Sequence, residues 1–172
     1  MGQYFYAVSV EKKEHVYSHD FDNGLKLMEH SYIGNRFMKA VEGLISKGGR
    51  WRGDKIVWAG DYADAEPNSE HNLHTICDKK ITPNIPTKTE RYLVNLDTKE
   101  FVDMKKIPVF ETTDNWEWRL HPLSLLTCEG NGRGGGDFRG DSKLVGKWAR
   151  NRVVIQKTKP VNKLELIFDL VE

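Results

Sequence analysis

The chain has 172 residues, 38% of them hydrophobic and 30% charged, with 26 Lys plus Arg against 25 Asp plus Glu and a formal net charge of +1. That length suits one domain able to bury a core, and the charge balance argues against nucleic acid or an acidic membrane surface as partner. No apolar run approaches the roughly 20 residues of a membrane span. Met1–Tyr6 lacks the basic-then-apolar pattern of a secretory signal, and Cys77 and Cys128 make neither a metal knuckle nor a disulfide framework, so a cytoplasmic setting is expected.

In chain order, residues 6–16 alternate apolar and polar side chains around a polar turn, which predicts a β-hairpin. Asp22-Asn23-Gly24 is a turn signal. Ile33, Phe37, Met38, Val41, Leu44 and Ile45 share one helical face, and Gly48-Gly49 ends that helix. Lys55–Ala59 reads as a strand released by Gly60. Residues 66–87, with Pro67, Pro83 and Pro86, read as a connector holding one short helix near Asn72–Lys79. Residues 92–102 repeat the first hairpin at an offset of 86, with Tyr6/Tyr92, Val8/Val94, Lys13/Lys99, Glu14/Glu100 and Val16/Val102 identical. Pro122–Leu126 suits a short helix with proline in its first turn. Gly146-Lys147-Trp148 through Val154 echoes Gly49-Arg50-Trp51 through Val57, and His121-Pro122 is a weaker counterpart of His30-Ser31. The tail, 163–171, alternates as a strand. The expected fold is α+β, a mainly antiparallel sheet with few helices in one compact domain, 1–172. It is built from a duplicated hairpin–helix–strand unit with pseudo-twofold symmetry, about 1–65 and 88–157.

Two segments carry the chemistry. Glu129–Gly140 holds six of the 15 glycines. Backbone amides of Asn131, Gly132, Arg133, Gly134, Gly135, Gly136 and Asp137 can form an anion-binding concavity, with Arg133 and Arg139 as clamps. A mobile loop or a structural glycine turn fits the same composition, and Asp137 paired with either arginine would weaken the anion reading. The spacing is neither a Walker motif nor a good dinucleotide fingerprint. After Gly60, Asp61, Tyr62 and Asp64, with Glu66 beyond, gather carboxylates that can coordinate Mg²⁺ or Ca²⁺, accept from sugar hydroxyls or simply cap the turn. Glu29-His30 beside the Asn23-Gly24 turn is a candidate acid–base or ligand-contacting pair, or a structural hydrogen-bonding one. His71 and His74 lack a third ligand, so no metal and no cofactor is expected. Neither cysteine sits in a catalytic pattern and no nucleophile elbow occurs. Trp51 and Trp148 read as core. Trp116-Glu117-Trp118 would put two rings on one side of an extended segment, an aromatic platform for a base or sugar.

Met1-Gly2-Gln3-Tyr4, Asn23-Gly24-Leu25-Lys26-Leu27, the run Trp51–Asp64 and the run Glu129–Asp137 together resemble a group of small hypothetical bacterial and phage proteins with no established activity. In shorter members both motifs lie in one unit. Here the first unit keeps Ala59–Asp64 and the second keeps the glycine run. The resemblance therefore implies a composite site, with amides and cations from one half and carboxylates from the other. The reading that follows is a binder of a small anionic ligand, a nucleotide or phosphorylated metabolite, sequestering a signalling nucleotide. Alternatives are an enzyme acting on a nucleotide or phosphoester through Asp61, Asp64 or His30, and a protein-interaction module whose loop orders on a partner. A homo-oligomer stays open.

Overall fold

The computed structural model describes residues 2–140 and 143–171, the Arg133 side chain excepted. Among them, no helix is long and apolar enough to cross a membrane. The first half opens with the hairpin β1 (Phe5–Ser9) and β2 (Glu14–Val16). Its turn places Lys13 at φ 54. Two helices follow, α1 (Leu27–His30) and α2 (Arg36–Ile45). The Asn35 side chain accepts from Met38 N–H at 2.8 Å and so starts α2. Its apolar stripe from Phe37 to Ile45 is buried, whereas Ile33 falls in the preceding loop. Strand β3 (Lys55–Gly60) pairs antiparallel with β1. The connector then carries α3 (Leu73–Ile76), capped by Asn72, and a strand the sequence did not suggest, β4 (Lys79–Ile81), parallel to β2.

The second half again opens with a hairpin. Hairpin β5 (Tyr92–Asn95) and β6 (Glu100–Asp103) has Lys99 at φ 60 in the turn. A separate hairpin, β7 (Glu111–Thr113) and β8 (Trp116–Trp118), stands outside the main sheet. Helix α4 (Pro122–Leu126) has proline in its first turn as expected. His121 caps it, Nδ1 accepting from Leu123 N–H at 3.1 Å. His121 Nε2–H can then donate to Glu42 at 2.7 Å, tying α4 to α2 in the core. His30, by contrast, ends α1, so the two histidines are not counterparts. The short β9 (Cys128–Glu129), β10 (Asn151–Gln156) and β11 (Leu164–Glu165) complete the chain. The tail forms much less ladder than its alternation predicts. After Leu166 N–H bonds Phe101 O at 2.7 Å, Phe168 and Leu170 turn into the core instead.

The main sheet runs β4-β2-β1-β3-β10-β5-β6-β11, an order that reads alike from either rim. Ala7 faces Val16 as Leu93 faces Val102, and Val8 faces Val57 as Val94 faces Val154. β4 is parallel to β2 just as β11 is parallel to β6. Antiparallel β3 and β10 join the halves through Ile56/Asn151 and Lys55/Arg152. Side chains follow the same scheme. Trp51 Nε1 donates to Glu14 at 2.9 Å and Trp148 Nε1 to Glu100 at 3.1 Å. Ser9 donates to Asp54 where Asn95 donates to Asn151.

One sheet face packs Phe5, Ala7, Ile56, Trp58, Leu93, Val153 and Ile155 against α2, α4 and both cognate tryptophans. Each fully buried Val, Leu, Ile or Phe among them contributes about 1.5–3 kcal/mol. The other face carries Val8, Val57 and Ala59 under α3, and Val94, Phe101 and Val154 in the second half. The correspondence breaks at one place. β9 adds to β3 in parallel, Trp58 opposite Cys128 and Ala59 opposite Glu129. On β10 the corresponding Ile155 carbonyl meets the Arg52 guanidinium at 3.4 Å. Through β9 the glycine segment of the second half docks on the third strand of the first.

A cleft between the acidic turn and the second half

β3 leaves the sheet at Gly60, where a larger residue would be crowded. A Cβ would stand 3.0 Å from Phe5 and the Gln3 carbonyl and 3.2 Å from Glu129 O. Asp61 then pins the N-terminal segment: its Oδ1 accepts from Tyr4 N–H at 3.0 Å and its N–H donates to Tyr4 O at 2.9 Å. Asn72 donates to the carbonyls of Asp61 and Ala63, holding the turn. Asp61 is thus occupied in structure, while Tyr62 and Asp64 face solvent.

Beyond Asp64 the chain runs beside the turn into β10, and a cleft of about 500 Å³ opens between them. Asp64, Glu66, Glu129, Gly130, Lys147 and Arg150 line it, with Cys128 and Gly146. Arg150 lies at its centre. The guanidinium donates to both Glu66 oxygens at 2.6 Å and to the Glu129 oxygens at 2.6 and 2.9 Å. These bonds, to Glu66 first, hold it still more firmly in its charged form. Its backbone has φ 67, in the position where the first half has Gly53 at φ 87. A side chain in that region costs on the order of 1 kcal/mol, offset here by four charge-assisted bonds. Lys147 reaches Glu100 at 3.5 Å and borders the same space. The lining is mixed, three carboxylates against two cations, and not the basic cradle the glycine run suggested.

The glycine run is only partly buried, with Asn131, Gly132, Gly136 and Arg139 exposed. Glu129 and Gly130 at its start line the cleft, and Asn131 N–H donates to Gln3 at 2.9 Å. Gly132 and Gly136 adopt positive φ, 61 and 59. A Cβ on Gly136 would stand 2.8 Å from the Phe5 ring, and one on Gly135 would touch Phe138, Val145 and Leu27. Gly134 O accepts from Cys128 Sγ at 3.5 Å. Asp137 accepts from Met28 N–H at 3.0 Å and so satisfies a backbone donor in the first turn of α1. Gly135 and Gly136 thus bring backbone against Phe5, Leu27 and Val145, a packing role that the composition also allowed. Arg139 is exposed, and the Arg133 side chain lies outside the described residues.

The site expectation for His30 is corrected. It is fully buried, with Nε2 accepting from Trp58 Nε1 at 2.9 Å and Nδ1 at 2.8 Å from Gly24 O. Burial pushes its pKa down to about 4, so it stays neutral and sealed from any ligand. Burial also raises the Cys128 thiol well above the ordinary range, leaving it no nucleophile. His74 stacks on Tyr6 at 4.0 Å while His71 is exposed. Among the described residues no three His, Cys, Asp or Glu side chains converge as metal ligands. Arg150 and Lys147 entered the sequence reading only as members of an echo. The signal for Arg150 was its occupying the place of a turn glycine. Neither protein-family models nor curated proteins nor solved structures give a match to this chain.

Proposed function

We propose that this protein binds a small polar ligand in the Arg150 cleft, a nucleotide or phosphorylated metabolite, and returns it unchanged. The observation that carries the reading is Arg150, held in left-handed backbone between Glu66 and Glu129 where the other half has glycine. Strained residues in a cleft are a recurrent mark of binding sites. The carboxylates of Asp64, Glu66 and Glu129 suit ligand hydroxyls, and Lys147 suits the anionic end. Sequestration rather than turnover is favoured because His30 and Cys128 are buried and chemically muted. The proposed setting is a reducing cytosol, where Cys77 and Cys128 remain free thiols.

A thermal-shift panel of nucleosides, nucleotides, sugar phosphates and inorganic phosphate tests this. A ligand at about 100 times its Kd adds about 2.7 kcal/mol of stability, and the shift should vanish in Lys147→Ala and Glu66→Gln. Chromatography should recover the ligand intact. A panel without any shift, or one in which both variants respond like the parent, refutes the proposal.

We further propose that the matching registers descend from one duplicated unit, larger than the sequence echo and including β4 and β11. A chimera carrying residues 146–151 in place of 49–54 should then keep its circular dichroism spectrum. Loss of the fold would count against common descent.

A further inference from the structure

Hairpin β7–β8 makes a second, independent cleft. Its alternation puts Trp116 and Trp118 on one face, Thr113 opposite Trp116 and Glu111 opposite Trp118. The hairpin is anchored. Trp118 meets Tyr32 edge to face at 4.9 Å, donates from Nε1 to Thr113 at 2.8 Å, and accepts on its carbonyl from Phe110 N–H at 3.0 Å. Trp116 is 42% exposed but fixed. It leans on Trp118 at 6.2 Å, and its Cη2 would lie 2.9 Å from a Cβ at Gly34, which has φ 97. Glycine at that position is what lets the indole rest on the backbone.

Beside this ring opens a cleft of about 570 Å³, its polar fringe made of Thr112, Asp114, Asn115, Glu117 and Arg119. Arg119 donates to Glu117 at 2.7 Å, while its Nε–H is buried with no partner among the described residues. A donor in that state gains from any acceptor the guanidinium can turn toward.

Three features select the ligand chemistry. Arg119, the one cation lining this cleft among the described residues, is already held by Glu117, so a phosphate finds no counterpart here to the Lys147 of the other cleft. Trp116 is the sole aromatic wall of the cleft, which is too few for a quaternary ammonium cage. One flat apolar face bordered by carboxylates, an amide, a hydroxyl and a guanidinium matches a ring that is apolar on one side and hydroxylated around its rim. We propose that this cleft is a binding site for a neutral saccharide, its C–H face on Trp116 and its hydroxyls on Asp114, Asn115, Glu117 and Arg119. The site does not depend on the Arg150 cleft.

The test is tryptophan fluorescence titration of the full chain with neutral mono- and oligosaccharides, each taken to about 50 mM so that even a Kd of about 10 mM registers. A saturable emission change is expected for at least one sugar. Trp116→Ala should abolish it, and Glu117→Gln, a surface change away from the core, should weaken it about tenfold. Glu66→Gln in the other cleft should leave it intact. A panel with no saturable response, or a response that survives both hairpin variants, overturns the proposal. So does Trp116-dependent binding of a nucleoside or tetramethylammonium in place of any sugar.

Discussion

Acidification tests the sealed contact between His30 and Trp58. In the folded chain His30 is held near pKa 4, against an ordinary value of 6.5. The unfolded chain therefore takes up the proton first, so this stability is present above about pH 6.5 and is lost as pH falls toward 4. At 1.36 kcal/mol per pKa unit the full difference is about 3 kcal/mol, of which about 2 is lost between pH 7 and pH 5. His30→Gln keeps an acceptor for the Trp58 N–H and a donor for Gly24 O but removes the titration. Burial also lowers the pKa of His15 and of His74, yet both proteins retain them and their contribution cancels. Glu14, held down to about 2 chiefly by Arg50, is lost only in a more acidic window. Urea unfolding followed by tryptophan emission at three pH values reads the difference. The variant should be less stable near neutrality and lose about 2 kcal/mol less on acidification to pH 5. Parallel pH profiles would refute the assignment of a neutral, buried His30.

Three further outcomes follow from the packing. Gly132→Ala and Gly136→Ala both place a side chain at positive φ, but only the second meets Phe5. Gly136→Ala should cost about 1–3 kcal/mol more in chemical denaturation, and equal losses would mean the run does not pack on the core. Asp137→Ala removes the acceptor for Met28 N–H and should cost about 1 kcal/mol, and an unchanged midpoint would dismiss that role. Trp51→Phe removes the indole donor from a fully buried carboxylate that Arg50 still pairs, whereas Trp148→Phe removes it from the more accessible Glu100. The first should therefore destabilise more in thermal melts, by about 1 kcal/mol, and the reverse order would count against the burial argument.

Local signals were the legible ones. The two hairpins follow from alternation and a polar turn, and α2 from its stripe and the Gly48-Gly49 stop, because neighbours along the chain decide them. β4 could not be read, since Lys79-Lys80-Ile81 has no strand pattern and extends only because β2 presents unpaired backbone groups. β9 spans Cys128 and Glu129 and exists only through β3. At the site, the glycine loop and the acidic turn are expected to form one composite pocket; Gln3 touches Gly60 and accepts from Asn131 N–H, which relates the two segments only at their ends. Glycine composition reports that backbone comes close to something, without distinguishing a ligand from Phe5 and Leu27. Likewise nothing local distinguishes an edge histidine from one enclosed by Trp58.

The mirrored strand order leaves its outermost members at the two rims. One is three residues long with two solvated lysines, and the other spans two residues before the chain dives back into the core. Each rim thus ends the ladder almost as soon as it begins. Another copy arriving side-on at either rim of the main sheet finds few open amides and carbonyls to extend.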